Sequence, residues 1–213
     1  MTESTLDLTK LYEAILIGDA SAAKEIVEAA IAAAVDPQLL VTGQMIPAMD
    51  EVGRRFEAGE YFVPELLIAG RAMKGTWLSA AAASRRGVEP IGRVVIGTVK
   101  GDMHDIGKGL VASMLEGAGF EIIDLGVDVS ADKFVARLET KADIVALSAL
   151  LTTTMLSIKD VIAAVRKIDA LNGCKIIIGG APVTQQYADS VGADGYSSNA
   201  NGAVTLARQL LSA

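Results

Sequence analysis

Two hydrophobic rhythms divide the chain. Up to residue 87 the apolar positions recur at three- and four-residue steps, the spacing of helix faces buried against one another. Leu8, Leu11, Tyr12, Ile15 and Leu16 form the first stripe, which ends at Gly18-Asp19. Ser21 is placed to cap a second helix, whose face carries Ile26, Val27, Ala30, Ile31 and Ala34. Asp36-Pro37 opens a third, which runs through Leu39, Leu40, Ile46, Met49 and Val52 towards Phe56. After the turn Ala58-Gly59-Glu60, Pro64 lies in the first turn of a fourth helix that reaches Ala81. Four amphipathic helices with short connections predict a bundle.

From Gly92 the rhythm changes. Short aliphatic and β-branched runs predict strands at Val94–Thr98, Glu121–Asp124, Ile144–Ser148, Lys175–Ile178 and Gly195-Tyr196. Helical spacing follows each, over 105–118, 131–139, 154–170, 182–191 and 200–212. This alternation predicts right-handed crossovers and a parallel sheet covered on both faces. The expected fold is therefore α/β: a four-helix bundle, then a doubly wound five-stranded sheet of the flavodoxin or Rossmann-like kind. The charged, Gly- and Pro-containing stretch Arg85–Pro90 reads as a linker. It separates an expected helical domain, 1–88, from an expected α/β domain, 89–213.

Composition narrows the partners. The net charge of −7 argues against a nucleic-acid surface, which needs a basic patch. No apolar stretch approaches the roughly 20 residues that cross a bilayer, and no basic-then-apolar leader begins the chain. A soluble, cytoplasmic protein with no nucleic-acid or membrane partner is expected. The single cysteine, Cys174, excludes an internal disulfide and reads as a buried, inert thiol.

Open α/β sheets bind ligands outside the carboxyl ends of their strands. There the first strand is followed by Gly101-Asp102-Met103-His104-Asp105-Ile106-Gly107, which holds the only histidine in the chain. The third is followed by Ser148-Ala149-Leu150-Leu151-Thr152-Thr153-Thr154, the fourth by Gly179-Gly180-Ala181-Pro182, and the fifth by Ser197-Ser198-Asn199-Ala200. A histidine beside a carboxylate that takes its second ring proton is a common metal-ligand arrangement, and equally serves a proton relay or plain structure. Several alternatives lack their residues. The dinucleotide pattern Gly-x-Gly-x-x-Gly is absent, and Gly107-Lys108-Gly109 only superficially resembles a phosphate loop. A phospho-acceptor domain would want an aspartate where Ser148 stands, and a zinc or redox cluster lacks ligands. Taken singly, Phe56 reads as core, Ser148 and Thr152-Thr153-Thr154 as helix caps, and Gly179-Gly180 as a turn.

Asp102-x-His104-x-x-Gly107, followed by Ser148-x-Leu150 and then Gly179-Gly180, resembles the signature of cobalamin-binding domains of the "base-off, His-on" type. Such domains occur in methionine synthase, corrinoid methyl carriers and some mutases. Upstream, Val52-Gly53-Arg54-Arg55-Phe56-Glu57-Ala58-Gly59-Glu60-Tyr61-Phe62-Val63-Pro64-Glu65 resembles the cap-helix segment of methionine synthase and its corrinoid relatives. The resemblance covers nearly the whole chain, and the bundle favours methyl transfer over a mutase subunit.

The resemblance implies the following roles. His104 is the lower axial ligand of cobalt and the metal-binding residue, replacing the cofactor's own base. Asp102 accepts the other imidazole N–H, and Thr154 supplies the relay hydroxyl, where methionine synthase has serine. Gly101, Met103, Asp105, Ile106 and Gly107 belong to the cofactor-binding loop. Ser148, Leu150, Thr152, Gly179, Gly180 and Ala200 line the site of the cofactor's tail. Phe56 and Val63 cover the upper corrin face; Val63 stands where the family often has the larger leucine. The implied cofactor is cobalamin or a related corrinoid, cycling between cob(I)alamin and methylcobalamin. The implied partners are a donor-specific methyltransferase, an acceptor methyltransferase acting on tetrahydrofolate or a thiol, and a reductive activase. The chain itself would be a non-catalytic carrier, with the Arg85–Pro90 linker as the hinge on which the bundle moves away from cobalt. The alternatives are a cobalamin sensor or storage module without turnover and a mutase cobalamin subunit.

Overall fold

The computed structural model describes residues 7–83, 89–138, 141–171 and 173–212. The chain divides into two compact units, Met1–Pro90 with Glu116–Gly119, and Ile91–Leu115 with Phe120–Ala213. Residues 85–88 of the expected linker, and position 139 at the expected end of one helix, lie outside the described residues.

The first unit is helical: α1 (Thr9–Leu16), α2 (Ala20–Ala32), α3 (Pro37–Leu40), α4 (Ile46–Glu57) and α5 (Val63–Ala83). A π-helical segment, Val41–Met45, joins α3 to α4 without a break. Pro47 accounts for it, because a proline inside a helix removes a backbone donor and crowds the carbonyl four residues earlier. The expected third helix is thus one rod with a widened turn. Helix α2 is capped by Asp19, which accepts from the Ala22 N–H at 3.0 Å, and not by Ser21, which lies inside the helix. The stripes do form the core: Leu11, Ile15, Val27, Leu40, Met49, Val52, Leu66 and Met73 are buried. Within α4, Glu51 accepts from Arg54 and Arg55, and Arg55 lies over the Tyr61 ring, 5.2 Å from its centroid. The following turn passes Gly59 and enters α5 where Glu65 accepts from the Phe62 N–H at 3.0 Å.

The second unit carries five parallel strands, β1 (Arg93–Thr98), β2 (Glu121–Asp124), β3 (Ile144–Ser148), β4 (Lys175–Gly179) and β5 (Gly195–Tyr196), in the order β2-β1-β3-β4-β5. Five helices alternate with them: α6 (Ile106–Gly117), α7 (Ala131–Leu138), α8 (Met155–Arg166), α9 (Gln185–Val191) and α10 (Ala200–Ser212). Neighbouring residues within a strand point to opposite faces, yet Val94, Val95 and Ile96, and Ile176, Ile177 and Ile178, are all buried. This is the burial of a sheet covered on both sides. Helix α8 ends at Arg166, short of the expected 170, and a 3-10 turn, Asp169–Leu171, follows. Helix α9 begins at Gln185 and not at Pro182, because Thr184 caps it by accepting from the Tyr187 N–H.

Register places the functional loops. Thr98, Ser148 and Gly179 form one rung across β1, β3 and β4, so the loops after these strands leave the sheet side by side. The strand order reverses between β1 and β3, which is where this fold opens a ligand crevice.

Candidate functional site

Beyond the rung, the Val99 N–H donates to the Ser148 carbonyl at 3.0 Å, extending the β1–β3 pairing by one step. The chain then turns. The Asp102 N–H closes on the Val99 carbonyl at 3.1 Å, and Gly101 takes φ +84°, the left-handed conformation that the third residue of a type II turn requires. This turn delivers the Asp102 side chain into the protein, where it is 0% exposed.

Each carboxylate oxygen of Asp102 has its own partners. Oδ1 accepts from the His104 N–H at 3.1 Å and from His104 Nδ1 at 2.9 Å. Oδ2 accepts from the Leu150 N–H at 2.7 Å and from the Thr154 hydroxyl at 2.7 Å, with the Leu151 N–H at 3.4 Å. Burial disfavours the ionised form, but the bonds from Leu150, Thr154 and His104 outweigh it and hold the carboxyl well below the usual carboxylate range. An ionised carboxylate only accepts, so Nδ1 of His104 carries a proton and, in the neutral ring, Nε2 keeps its lone pair. The imidazole is 54% exposed, and its backbone carbonyl is held by the Thr98 hydroxyl at 2.8 Å.

Thr154 immediately precedes α8, yet its side chain makes no capping bond. Its buried hydroxyl lies between two acceptors, Asp102 Oδ2 and the Leu151 carbonyl, the latter at 2.9 Å. The helix-cap reading of this threonine therefore gives way to a direct role in holding Asp102. Ser157 adds a second tie from α8, donating to the Lys100 carbonyl at 3.0 Å.

Apolar side chains surround the imidazole in sequence and remain open to solvent: Met103 is 69% and Ile106 85% exposed, and Leu150 and Leu151 are exposed as well. Gly107 and Gly109 lie in the first turn of α6, and beyond the helix itself nothing lies within 4 Å of where their Cβ atoms would stand. The protein's own packing does not demand glycine there. On the neighbouring loop Gly180 has φ +134°, and a Cβ would collide with the Ala149 carbonyl oxygen. The β3 and β4 loops thus pack backbone to backbone.

The hydrogen bonds bring Asp102, His104, Leu150 and Thr154 together. Ser148 contributes its backbone carbonyl, and Thr152 is exposed. Asp105 is exposed too, and its carbonyl accepts from the Gly109 N–H at 2.7 Å to open α6. Gly179 is half-buried at the end of β4, and Ala200 is the buried first residue of α10. Phe56 and Val63 belong to the helical unit, Phe56 half-buried near the end of α4 and Val63 exposed at the start of α5. Sequence reasoning missed Thr98, Asp128 and Ser157, and it set aside Lys108. Lys108 is buried, and its Nζ donates to Asp124 Oδ1 at 2.6 Å; a lone cation in the apolar helix Ile106–Gly117 was the available signal. Burial pushes the Cys174 thiol up to about 11, so it stays protonated.

Chemically, the loop offers one imidazole nitrogen with a directed lone pair. Among the described residues no group of three or more His, Cys, Asp or Glu side chains is placed to hold a metal ion. A site with one protein ligand suits a metal that brings its other ligands with it. Among the described residues, no helix is long and apolar enough to cross a membrane.

Comparison with known proteins gives the same answer for both units. Residues 92–205 match a B12 binding domain model, and residues 8–76 match a second B12 binding domain model. A corrinoid protein of Desulfitobacterium hafniense (strain Y51) is 37% identical over 209 residues, covering 96% of this chain and 97% of the relative. The trimethylamine corrinoid protein of Methanosarcina barkeri is 40% identical over 208 residues, covering 96% of each. Among solved structures, the methanol:cobalamin methyltransferase complex of Methanosarcina barkeri superimposes with a TM-score of 0.87 at 28% identity, over 99% of this chain and 81% of that one. Helical unit and α/β unit are matched together, over nearly the full length of relatives named for their corrinoid, and this chain belongs to the family of cobalamin-dependent corrinoid proteins.

Proposed function

We propose that this chain carries a methyl group on the cobalt of a bound corrinoid, taking it from a donor-specific methyltransferase and giving it to a second methyltransferase that acts on tetrahydrofolate or a thiol. A reductive activase completes the set of partners. The observation that carries the reading is the Asp102 junction, where a buried carboxylate ties an exposed imidazole to the β3 loop. A bound corrinoid would supply the nucleophilic cobalt.

The residues present fit such a group. His104 directs Nε2 outward by committing Nδ1 to Asp102. Met103, Ile106, Leu150 and Leu151 offer apolar surface to a macrocycle, and the bare faces of Gly107 and Gly109 leave room for a tail. Gly179, Gly180 and Ala200 line the tail's path in this reading, and Phe56 and Val63 cover the opposite face of the ring. His104 would hold the group through Nε2, while Asp102, itself held by the Thr154 hydroxyl at 2.7 Å, would keep the proton on Nδ1.

Loading the protein with hydroxocobalamin should give the spectrum of a nitrogen-ligated corrinoid, and His104→Ala should convert it to a base-off spectrum. An unchanged spectrum refutes the axial role of His104. Methylamines, methanol, methylated betaines and aryl methyl ethers, each tested with its methyltransferase, should reveal a donor. A loaded protein that none of them methylates refutes the carrier reading in favour of a sensor or storage module.

A further inference from the structure

The loop after β2 holds an aspartate in a conformation that side chains avoid. Asp128 has φ +53°, in the left-handed region that residues with a Cβ seldom enter and that Asp and Asn tolerate best. The strain has a use. In this conformation the Asp128 backbone N–H donates to the Asp102 carbonyl at 3.0 Å, while its Oδ1 accepts from the Gly101 N–H at 2.8 Å. One exposed residue therefore grips the peptide groups on either side of the Gly101–Asp102 step.

The loop that carries it is anchored at both ends. Asp124 accepts from buried Lys108 at 2.6 Å and from the Gly126 N–H at 2.9 Å. Val129 is buried, donates its N–H to the Thr98 carbonyl at 3.0 Å, and forms an isolated bridge with Val99. A firm support thus faces the one flexible residue of the turn, Gly101. Without the Asp128 carboxylate the Gly101 N–H loses its partner, and glycine is the residue least able to hold its own conformation.

We propose that Asp128 is a positioning residue for His104. By fixing the Gly101–Asp102 backbone it aims the Asp102 carboxylate, and through that carboxylate the imidazole. The inference rests on the reading of His104 as cobalt ligand for its consequence, but its first step is a property of the protein without corrinoid.

The test uses the full chain and three variants. His104 is the only histidine, so a nitrogen-15-labelled sample gives a single pair of ring signals. Recorded over a pH series, its nitrogen shifts report the tautomer of the neutral ring. The parent should be mainly Nδ1-protonated. Asp128→Asn keeps both the acceptor oxygen and the tolerance for positive φ, so its tautomer ratio should stay within about twofold of the parent's. Asp128→Gly relieves the strain and removes only the acceptor; it should shift the ratio towards Nε2–H by about tenfold, the effect of one lost hydrogen bond to a charged group. Asp128→Ala should do the same, and far-UV circular dichroism verifies that each variant is folded. After loading with hydroxocobalamin, the nitrogen-ligated fraction should fall in the Gly and Ala variants and persist in the Asn variant. A parent-like tautomer ratio in Asp128→Gly overturns the proposal. A shifted tautomer with an unchanged cobalt spectrum upholds the positioning and overturns the ligand role of His104.

Discussion

Thr154→Val removes a hydroxyl from a buried carboxylate at almost constant side-chain shape. In the parent, Asp102 Oδ2 has two short donors, the Leu150 N–H and the Thr154 hydroxyl, both at 2.7 Å. The variant leaves one, plus the Leu151 N–H at 3.4 Å. A hydrogen bond to a charged group contributes about 1.5–3 kcal/mol, and the added methyl returns at most about 0.8 kcal/mol. The α/β unit should therefore lose about 1–2 kcal/mol, or roughly 3–8 °C in melting temperature. The pH dependence identifies the partner. A carboxyl whose pKa is depressed by folding adds stability that is fully present above its unfolded value of about 3.9, and that is lost as pH falls through the lower folded value. The variant raises the folded value of Asp102 towards the ordinary one. Parent and variant should differ most near neutral pH and converge as the pH falls below about 4. Thermal melts followed by circular dichroism at a series of pH values measure this, with Thr154→Ser as the variant that keeps the hydroxyl. A parent–variant difference that is absent at neutral pH, or unchanged down to acid, would refute a bond from Thr154 to an ionised Asp102.

Two glycine substitutions separate folding from binding. Gly107→Ala adds a methyl where the protein leaves open space and improves helix propensity, so the corrinoid-free protein should gain about 0.5–1 kcal/mol while its affinity for hydroxocobalamin falls; thermal melts and a spectroscopic titration moving in the same direction would sink the tail-space reading. Gly180→Ala forces a Cβ towards the Ala149 carbonyl at φ +134°, and should cost about 3 kcal/mol or more in denaturant unfolding together with corrinoid binding; near-parent stability would mean that the β3 and β4 loops do not meet as described.

The periodicity was informative where a residue's burial depends on its own neighbours in sequence. All five strands stand within one residue of expectation at either end, because a covered parallel sheet writes itself as short apolar runs. Caps were less legible. Asp19 and Ser21 both suit a helix start, and only the backbone path decides that Asp19 stands outside the helix and Ser21 within it. The site was half legible. Asp102 and His104 lie two residues apart, but the carboxylate's other partners, Leu150 and Thr154, come from another loop, and no local pattern distinguishes a threonine that caps a helix from one that turns to a distant aspartate. The motif resemblance supplied that link. It did not supply Asp128 or the pairing of Lys108 with Asp124, whose meaning depends on which loop a strand order of β2-β1-β3 sets beside the histidine.

The Asp102 junction also has an entropic consequence. All its partners are protein groups, so folding alone arrests the rotation of the His104 ring about its side-chain bonds. Freezing a side chain at the moment of association costs about 0.5–1.5 kcal/mol. A ligand that meets an imidazole already aimed would avoid that loss, roughly two- to tenfold in affinity. The same arrest does not depend on a ligand: an imidazole held by Asp102 keeps its bearing whether or not Nε2 is engaged.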